Sequence, residues 1–511
     1  MDVIRLCIIA FMSIASLTIK ADESLNLNDD ILGLIVFKAS VSDPSSQLSS
    51  WNQDDETPCS WKFITCNPVS RRVTGISLDG LNLSGKIGRG LEKLPYLKVL
   101  SLANNNFTGF INPELSLLIH LKHLNLSQNS FSGRIPGSLL NPGSIQFLDL
   151  SRNSLSGPVP EELFRNCLLL RSLSLSGNNL EGPIPNSLSN CKTLNHLNLS
   201  NNQFSGNPVF ESGIWTLIRI RTLDLSHNSF SGAIPNGVFA LHDLKQLSLN
   251  GNQFSGSLPS DLGLCLHLKT LDLSNNLFIE TVPQSFHALS SLSLLNLANN
   301  KLTGEFPQWI GSLTSLESLD FSGNGFTGIL PESIGGLTSL KYLSLSANSL
   351  SGTIPMSLDS STKLSVISLS GNKFNGSIPN GIFDLGFDQI DLSRNELTGS
   401  IPQGSSKLFE SLQSLDLSSN RLTGDIPAEI GLNSKLRYLN LSWNNFETRM
   451  PPELGYFQNL TVLDLRNSAF LGSIPQELCD SGSLGILQLD GNSFSGSIPD
   501  EIGNCSSLYL L

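Results

Sequence analysis

The stretch LKHLNLSQNSFSGRIP, residues 121–136, contains the pattern that decides the fold. Leu124 and Leu126 are separated by one polar residue, which is the spacing of a β-strand with one buried face. The backbone must turn after this strand, and a buried turn leaves N–H and C=O groups without partners. Asn129 follows the strand and offers amide donors together with a carbonyl acceptor. We therefore predict that its side chain satisfies the turn, and that the Phe, Gly and Ile-Pro after it form the rest of the unit.

The same unit recurs along most of the chain. Positions equivalent to Asn129 follow one another every 23 to 26 residues, eighteen in all, with Leu81 and Ser468 as substitutions. One such unit cannot bury its apolar face alone, so the repeats must stack as a coil with parallel strands on one face. We predict a ladder of turn amides, each contributing about 1–3 kcal/mol, formed by Asn105, Asn129, Asn153, Asn178, Asn202, Asn228, Asn252, Asn276, Asn300, Asn324, Asn348, Asn372, Asn395, Asn420, Asn444 and Asn492.

The chain divides into three predicted parts. Residues 1–21 have the basic, apolar and small-residue layout of a secretory signal peptide, residues 22–72 form an N-terminal cap, and residues 73–511 contain about 18 repeats. In the cap, NDDILGLIVFKASVSDP (28–44) predicts a helix with Ile31, Leu34 and Phe37 facing inward. The sequence stops at the opening of a nineteenth repeat, so we expect it to be a fragment.

Composition argues against several classes of function. The net charge is −12 and only 14% of residues are charged, which does not favour nucleic-acid binding. After the signal segment no stretch is long and apolar enough to span a membrane. We find no constellation of a nucleophile, a kinase site or a zinc site, and we predict no enzyme activity, no metal and no cofactor. A glycine-rich match at 323–328 leads into Pro331 instead of a helix, so it does not predict nucleotide binding.

Secretion permits disulfides, and the cysteines fall into two groups. Cys59 and Cys66 lie outside the repeats and are predicted to form one bridge. Four others occupy one recurring position, eleven residues before a ladder position, which favours a small buried hydrophobe: Cys167, Cys191, Cys265 and Cys505. A bridge between Cys167 and Cys191 across adjacent rungs is the alternative. Cys479 lies out of this register and is left unassigned.

These residues resemble the plant leucine-rich-repeat receptor-like kinases and receptor-like proteins. The resemblance rests on the L-x-G-x-I-P extension, the cap, and Cys59-Ser-Trp-Lys-Phe-Ile-Thr-Cys66, where Phe63 replaces the usual Gly. The run WNNFETRMPPELGYFQNLTVLDLRNSAFLGSIP (443–475) is similar to large receptors described as presumed inactive kinases. The resemblance implies a right-handed leucine-rich-repeat α/β solenoid with a parallel β-sheet on its concave face and an N-terminal helical cap. It also implies a cell-surface protein with a membrane span and a kinase-like domain farther along, and a shorter leucine-rich-repeat coreceptor as a candidate partner.

Outward positions of the strands form the predicted recognition surface for a peptide or protein ligand. Most are Ser, Asp or Asn, and the larger side chains are either binding anchors or covers for a neighbouring rung. The Arg-x-Arg pair of peptide-sensing relatives is out of register here, at Arg219 and Arg221. We predict a binding cluster near the end of the chain, with two outlying aromatic residues: Tyr438, Trp443, Val462, Asp464, Arg466, Ile486 and Gln488, then Tyr342 and Phe147.

Glycosylation and function leave alternatives open. Eight sequons are candidate glycan sites: Asn82, Asn106, Asn125, Asn198, Asn375, Asn440, Asn459 and Asn504. Three of these lie in L-N-L-S strands and could be accidents of the repeat.

The favoured function is the ligand-binding ectodomain of a membrane receptor. The alternatives are a secreted inhibitor of a microbial wall-degrading enzyme and a structural wall protein.

Overall fold

The computed structural model describes residues 29–208, 213–403, 410–480 and 482–511. The predicted signal peptide lies outside these residues. Internal contacts divide the chain into two units, residues 1–203 and 204–511.

The first unit begins with the cap. Its helix, α1 (Asp29–Ala39), buries Ile31, Leu34 and Phe37, as the spacing predicts. Trp51 and Trp61 stack with ring centroids 5.7 Å apart, and both are almost fully buried. The strand Ile64–Cys66 pairs antiparallel with the first repeat strand, so the cap covers the end of the sheet.

Parallel strands of the first unit form its main sheet. Each pairs with the next in strict register, so a row formed by Ile76 and one leucine of each later strand points into the core. A second set of short strands follows the turns. The main-sheet strands are Val73–Ser77, Val99–Ser101, His123–Asn125, Phe147–Asp149, Ser172–Ser174 and His196–Asn198. The second-set strands are Val41–Ser42, Ser84–Gly85, Asn106–Gly109, Ser130–Gly133, Ser154–Pro158 and Asn179–Gly182.

The second unit repeats this architecture. Its main sheet consists of Thr222–Asp224, Gln246–Ser248, Thr270–Asp272, Leu294–Asn296, Ser318–Asp320, Tyr342–Ser344, Val366–Ser368, Gln389–Asp391, Ser414–Asp416, Tyr438–Asn440, Val462–Asp464 and Ile486–Gln488. Its second set consists of Ser229–Gly232, Gln253–Ser257, Leu277–Glu280, Lys301–Glu305, Gly325–Thr327, Ser351–Thr353, Lys373–Gly376, Glu396–Gly399, Arg421–Leu422, Leu471–Gly472 and Ser493–Phe494. The strand Gln203–Gly206 lies at the boundary of the units.

Short helices return the chain to the next strand. Among those whose bounds lie within the described residues, α2 (Asn380–Phe383) is an α-helical turn and the rest are 3-10 turns. The 3-10 turns are Pro58–Ser60, Leu91–Lys93, Pro113–Leu117, Glu161–Phe164, Asn186–Asn190, Ile214–Thr216, Val238–Ala240, Ser260–Leu264, Gln284–Ala288, Ile310–Ser312, Glu332–Gly336, Met356–Ser360, Ala428–Leu432, Pro452–Gly455, Gln476–Cys479 and Asp500–Asn504. Each unit is thus a stack of parallel-stranded rungs, and the predicted solenoid fold is confirmed.

Turn amides connect consecutive rungs through hydrogen bonds. The Nδ2 group of Asn276 donates to the carbonyls of Leu249, Leu273 and Ser274 at 3.0–3.1 Å. Its Oδ1 accepts the backbone N–H of Phe254 at 3.0 Å. One side chain therefore satisfies backbone groups of its own rung and of the rung before it. Phenylalanine rings stack beside the ladder, as in Phe254 and Phe278 with centroids 6.4 Å apart.

Departures from the repeat are accommodated locally. Ser468 replaces a ladder Asn, and its hydroxyl donates to the carbonyls of Leu441 (2.9 Å) and Arg466 (3.0 Å). The Phe446 N–H, which would bond an Asn oxygen, bonds the Ser468 carbonyl instead. Glu280 replaces a turn glycine and still adopts a φ of 67°. Ser468 thus keeps the turn with fewer side-chain hydrogen bonds than an Asn makes. Glu280 keeps it in a strained backbone conformation.

Two disulfides correct the sequence interpretation. Cys167 and Cys191, expected as separate buried hydrophobes, form a disulfide with Cα atoms 4.8 Å apart. Cys505, expected in the same role, pairs with Cys479. Stacking brings equivalent positions such as Cys167 and Cys191, and also the out-of-register Cys479 and its partner, within the range of about 4.4–6.8 Å between Cα atoms that a disulfide needs. Cys265 is free and buried, and burial raises the pKa of its thiol to about 11. The structure also contains the Cys59–Cys66 bridge of the cap.

Candidate functional site

The last strands of the second unit bring most of the predicted binding residues together. The C-terminal cluster is defined as Tyr438, Trp443, Val462, Asp464, Arg466, Ile486 and Gln488. Tyr438, Val462 and Ile486 are direct neighbours in the register of the parallel strands. Asp464 and Gln488 are neighbours on the same strands, one pleat farther along. The cluster therefore has an apolar row beside a polar row, because outward side chains recur every second residue.

Tyr438 is held by a hydrogen-bond network on this face. Its hydroxyl donates to Asp416 Oδ2 at 3.1 Å and accepts from Asn440 Nδ2, also at 3.1 Å. Partial burial and the neighbouring Asp416 carboxylate raise the pKa of Tyr438 to about 12, because both disfavour the phenolate. The ring is therefore neutral and fixed in orientation, with an apolar side free for contact.

Asp464 and Arg466 are already paired with each other. The Arg466 guanidinium donates from Nε to Oδ1 at 2.9 Å and from its second nitrogen to Oδ2 at 2.7 Å. The Asp464 side chain is 8% exposed, whereas that of Arg466 is 36% exposed. The hydrogen bond to Asp464 raises the pKa of Arg466. The pair thus adds little net charge, but Arg466 retains N–H groups that can bind a ligand.

Trp443 has a feature that the sequence did not reveal. It lies one residue before the ladder Asn444 and adopts a φ of 59°. The equivalent residue of other rungs has the same left-handed conformation whatever its type, as in Asn104, Arg152 and His227, so this φ is a property of the repeat. The Trp443 side chain is 57% exposed. Trp443 thus differs from its counterparts by a large exposed aromatic side chain, and not by its backbone conformation.

Two predicted residues do not join the cluster. The Tyr342 strand lies four strands from the Tyr438 strand, which corresponds to roughly 19 Å at about 4.8 Å per strand. Its hydroxyl contacts Asp320 in the same way, at 3.4 Å. Phe147 belongs to the first unit. Both residues occupy the register position of Tyr438 in their own strands and, as predicted, lie outside the C-terminal cluster.

Sequons divide into two structural groups. Asn125, Asn198 and Asn440 are half-buried, and the Oδ1 of each accepts both the N–H and the hydroxyl of a Ser two residues later. Five sequon side chains are exposed instead: Asn82, Asn106, Asn375, Asn459 and Asn504. A glycan is attached to Nδ2, so on the first group it would have to fit beside a half-buried side chain held through Oδ1, and at Asn440 it would replace the donations of Nδ2 to Asp416 and Tyr438.

We therefore predict glycans only on the five exposed sequons. Glycopeptide mass spectrometry of the chain secreted from plant cells measures the occupancy of each site. Asn125, Asn198 and Asn440 should be recovered unmodified, and peptide-N-glycosidase treatment in heavy water provides the site-specific control. Substantial occupancy at Asn440 would contradict this division and would place a glycan on the C-terminal cluster.

Other site types have no counterpart in the described part of the chain. Within it, no group of three or more His, Cys, Asp or Glu side chains could hold a metal ion. Its helices are also too short to cross a membrane.

Family models match most of the chain. A leucine-rich-repeat N-terminal domain matches residues 27–67, and a leucine-rich-repeat region matches residues 216–374. Further leucine-rich-repeat models match residues 95–155 and 387–446, and shorter ones match 169–191, 193–212, 459–481 and 483–505.

Similar curated proteins are plant receptor kinases. A presumed inactive leucine-rich-repeat receptor-like protein kinase of Arabidopsis thaliana is 61% identical over 83 residues, 16% of this chain and 8% of the relative. The leucine-rich-repeat receptor-like protein kinase PXC2 of Arabidopsis thaliana is 50% identical over 95 residues, 19% of this chain and 10% of the relative. The matched part thus spans at most a tenth of these two relatives.

Solved structures extend the similarity to nearly the whole chain. The ectodomain of the Arabidopsis receptor kinase HAESA, in complex with an extended IDA peptide hormone, has a TM-score of 0.86 and 34% identity, covering 95% of this chain and 81% of that one. The HAESA complex with IDA and the co-receptor SERK1 has a TM-score of 0.74 and 33% identity, covering 95% and 89%. The chain therefore belongs to the leucine-rich-repeat family of plant receptor kinase ectodomains.

Proposed function

We propose that this chain is the extracellular ligand-binding part of a plant receptor kinase and that its C-terminal cluster contacts a peptide or protein ligand. Trp443 is the observation that carries the proposal. Its side chain is 57% exposed, and Trp is among the residue types most enriched where binding energy is concentrated. An exposed Trp beside Tyr438 and Arg466 has the composition of a binding hot spot.

The rest of the proposal concerns the whole protein. We propose that a signal peptide at residues 1–21 directs it to the cell surface, followed by a cap at 22–72 and repeats over 73–511. A membrane span and a kinase-like domain would complete the receptor, because the curated relatives are receptor-like kinases. A co-receptor is a candidate partner, as SERK1 is for HAESA. We further propose that the chain acts by binding, without catalysis. The similar ectodomains favour this role over a secreted inhibitor of a microbial enzyme.

Substituting Trp443 tests the ligand site. Trp443→Asn should weaken ligand binding at least tenfold, about 1.4 kcal/mol, and should raise the stability by about 1 kcal/mol because Asn tolerates a positive φ. Opposite signs for binding and stability distinguish a functional residue from a structural one. Peptides selected on the immobilised wild-type chain from a random display library serve as the probe, with affinity measured by calorimetry and stability by thermal unfolding.

Tyr342 provides a matched control. It occupies the position of Tyr438 in its own strand and has the same hydroxyl contact with an Asp. Tyr438→Ala should weaken binding of the selected peptides, whereas Tyr342→Ala should leave it unchanged. Equal effects of the two substitutions, or retained affinity in Trp443→Asn, would show that the ligand binds elsewhere.

A further inference from the structure

A second surface, in the first unit, combines exposed aromatic rings with imidazoles. His123 and Phe147 lie opposite each other on neighbouring strands, with ring centroids 4.2 Å apart and planes inclined by 2°. Tyr96 and His120 stack on the loops that lead into this sheet, 6.0 Å apart and inclined by 7°. Tyr96 is 47% exposed. The rings thus offer flat apolar area that no residue of the chain covers fully.

Two lysines lie between these ring pairs. The N–H of Lys122 donates to the carbonyl of Lys98 at 2.8 Å, so the two exposed side chains leave the sheet one strand apart, about 4.8 Å. Within the described residues neither lysine forms a salt bridge. Ammonium groups on adjacent strands repel each other when their side chains approach, and a bound anion would relieve the repulsion.

Two nearby carboxylates, those of Asp79 and Asp149, already accept hydrogen bonds within the chain. Asp79 Oδ1 accepts the Ser101 hydroxyl at 2.6 Å and the Ala103 N–H at 2.7 Å. Asp149 Oδ1 accepts the Ser151 N–H at 2.9 Å. Burial lowers the pKa of His123 despite both carboxylates, so this imidazole is neutral at pH 7. The permanent cations of this surface are thus Lys98 and Lys122, with Arg72 at the Tyr96 ring, beside the carboxylates of Asp79 and Asp149.

A buried ion pair holds the Tyr96 side of the surface in place. Arg72 donates from Nε (3.0 Å) and from a terminal nitrogen (2.7 Å) to Asp30, which is 1% exposed. The guanidinium carbon lies 4.9 Å from the centre of the Tyr96 ring, within the range of a cation–π contact. Because the rings are oriented before any partner arrives, binding requires less ordering of side chains.

We propose that this cationic aromatic patch, formed by Tyr96, Lys98, His120, Lys122, His123 and Phe147, binds an acidic segment of a protein partner. Carboxylates of the segment pair with the two lysines, and an aromatic or apolar side chain packs on the exposed rings. Exposed aromatics combined with unpaired cations favour a polypeptide over a purely charged polymer, because aromatic anchors contribute most of the energy at protein interfaces. The patch shares no residue with the C-terminal cluster, which belongs to the second unit. The two proposals can therefore be tested independently.

Three anionic polymers test the proposal on the full chain. The probes are poly(L-glutamate), a random copolymer of glutamate and tyrosine, and polygalacturonate, each titrated at the same charge concentration in low and physiological salt. We expect the copolymer to bind about tenfold more tightly than poly(L-glutamate), since only the copolymer supplies aromatic contacts. Tighter binding of polygalacturonate than of the copolymer, or no binding of any probe, would overturn the proposal.

Matched pairs of lysine substitutions localise the site. Lys98→Ser with Lys122→Ser should weaken copolymer binding about tenfold. Lys245→Ser with Lys269→Ser removes the same charge from two exposed lysines of adjacent rungs in the second unit, where the Lys269 N–H also bonds the Lys245 carbonyl. This control should bind as the wild type does. Equal losses would show attraction to net charge alone and would overturn the proposal.

Phe147 separates the aromatic from the electrostatic contribution. Phe147→Ala should remove the preference for the copolymer and leave poly(L-glutamate) binding unchanged. An unchanged melting temperature of each variant establishes that the fold is intact, and Phe147→Tyr should retain the preference. A preference that survives Phe147→Ala combined with Tyr96→Ala would contradict the role of the rings.

Discussion

Asn276→Ala is expected to lower the free energy of unfolding by about 3 kcal/mol. The side chain is 5% exposed and makes hydrogen bonds to three carbonyls and one N–H. Alanine leaves the Phe254 N–H buried without its acceptor, at about 1–3 kcal/mol. It also removes one of the donors at each carbonyl, and the three carbonyls then keep only Asn252, Asn300 and the Gly251 N–H. Because stacked repeats can unfold in parts, thermal unfolding should be combined with hydrogen exchange at the Phe254 amide, which loses its acceptor.

Serine at the same position gives a graded control. Ser468 shows that a hydroxyl can donate to the carbonyls that a ladder amide contacts. Asn276→Ser should therefore recover part of the loss, while Gln253→Ala, on an exposed side chain of the preceding rung, should change stability by less than about 0.5 kcal/mol. If Asn276→Ala unfolds like Gln253→Ala, the ladder does not stabilise the stack as argued.

Removing Arg72 should destabilise the cap by about 3 kcal/mol. Arg72→Ala leaves the Asp30 carboxylate, 1% exposed, without its counter-ion. The value lies at the low end for a buried pair because the Arg72 side chain is itself 30% exposed, so solvent screens part of the interaction. Trp51 and Trp61 are buried in the cap, and their fluorescence should report its earlier opening on denaturant titration.

A second substitution should rescue this loss. Asp30→Asn in the Arg72→Ala background removes the buried negative charge that has lost its counter-ion. It keeps an oxygen for the Val73 N–H, which donates to Asp30 at 2.8 Å in the wild type. We expect the double variant to be more stable than Arg72→Ala alone. A double variant of equal or lower stability would show that packing, and not the buried charge, accounts for the effect.

Much of the architecture follows from local pattern. The leucine spacing, the ladder positions and the inward face of α1 were all predictable, because a strand or helix buries residues at its own period. Phe63 is instructive, since the family resemblance indicates glycine there and the structure gives Phe63 a φ of 68°. The resemblance thus identified a position that requires a positive φ. It did not indicate that a phenylalanine would adopt this conformation.

Side-chain partners across rungs were harder to predict. Cys167 and Cys191 were predicted to be buried hydrophobes, with a disulfide as the alternative, because a buried position suits both a free thiol and a disulfide. Their Cα separation of 4.8 Å decides for the disulfide. Asp30 lies in the first turn of α1, where an acidic residue is ordinary in sequence terms, yet it forms a buried pair with Arg72, 42 residues farther along. Asp464 and Arg466 were both offered to a ligand, yet each is the other's partner.

The repeat period by itself determined which residues face the core, which face outward and which stand on adjacent rungs, since a residue and its counterpart about 24 positions later occupy equivalent places. Tertiary structure alone decided which outward groups remain available. The Trp443 side chain is exposed, whereas the Asn440 side chain is hydrogen-bonded to Asp416 and Tyr438. The physical reason is that availability depends on distances of about 3 Å between side chains of neighbouring rungs. A periodic pattern places those side chains next to each other without fixing their rotamers.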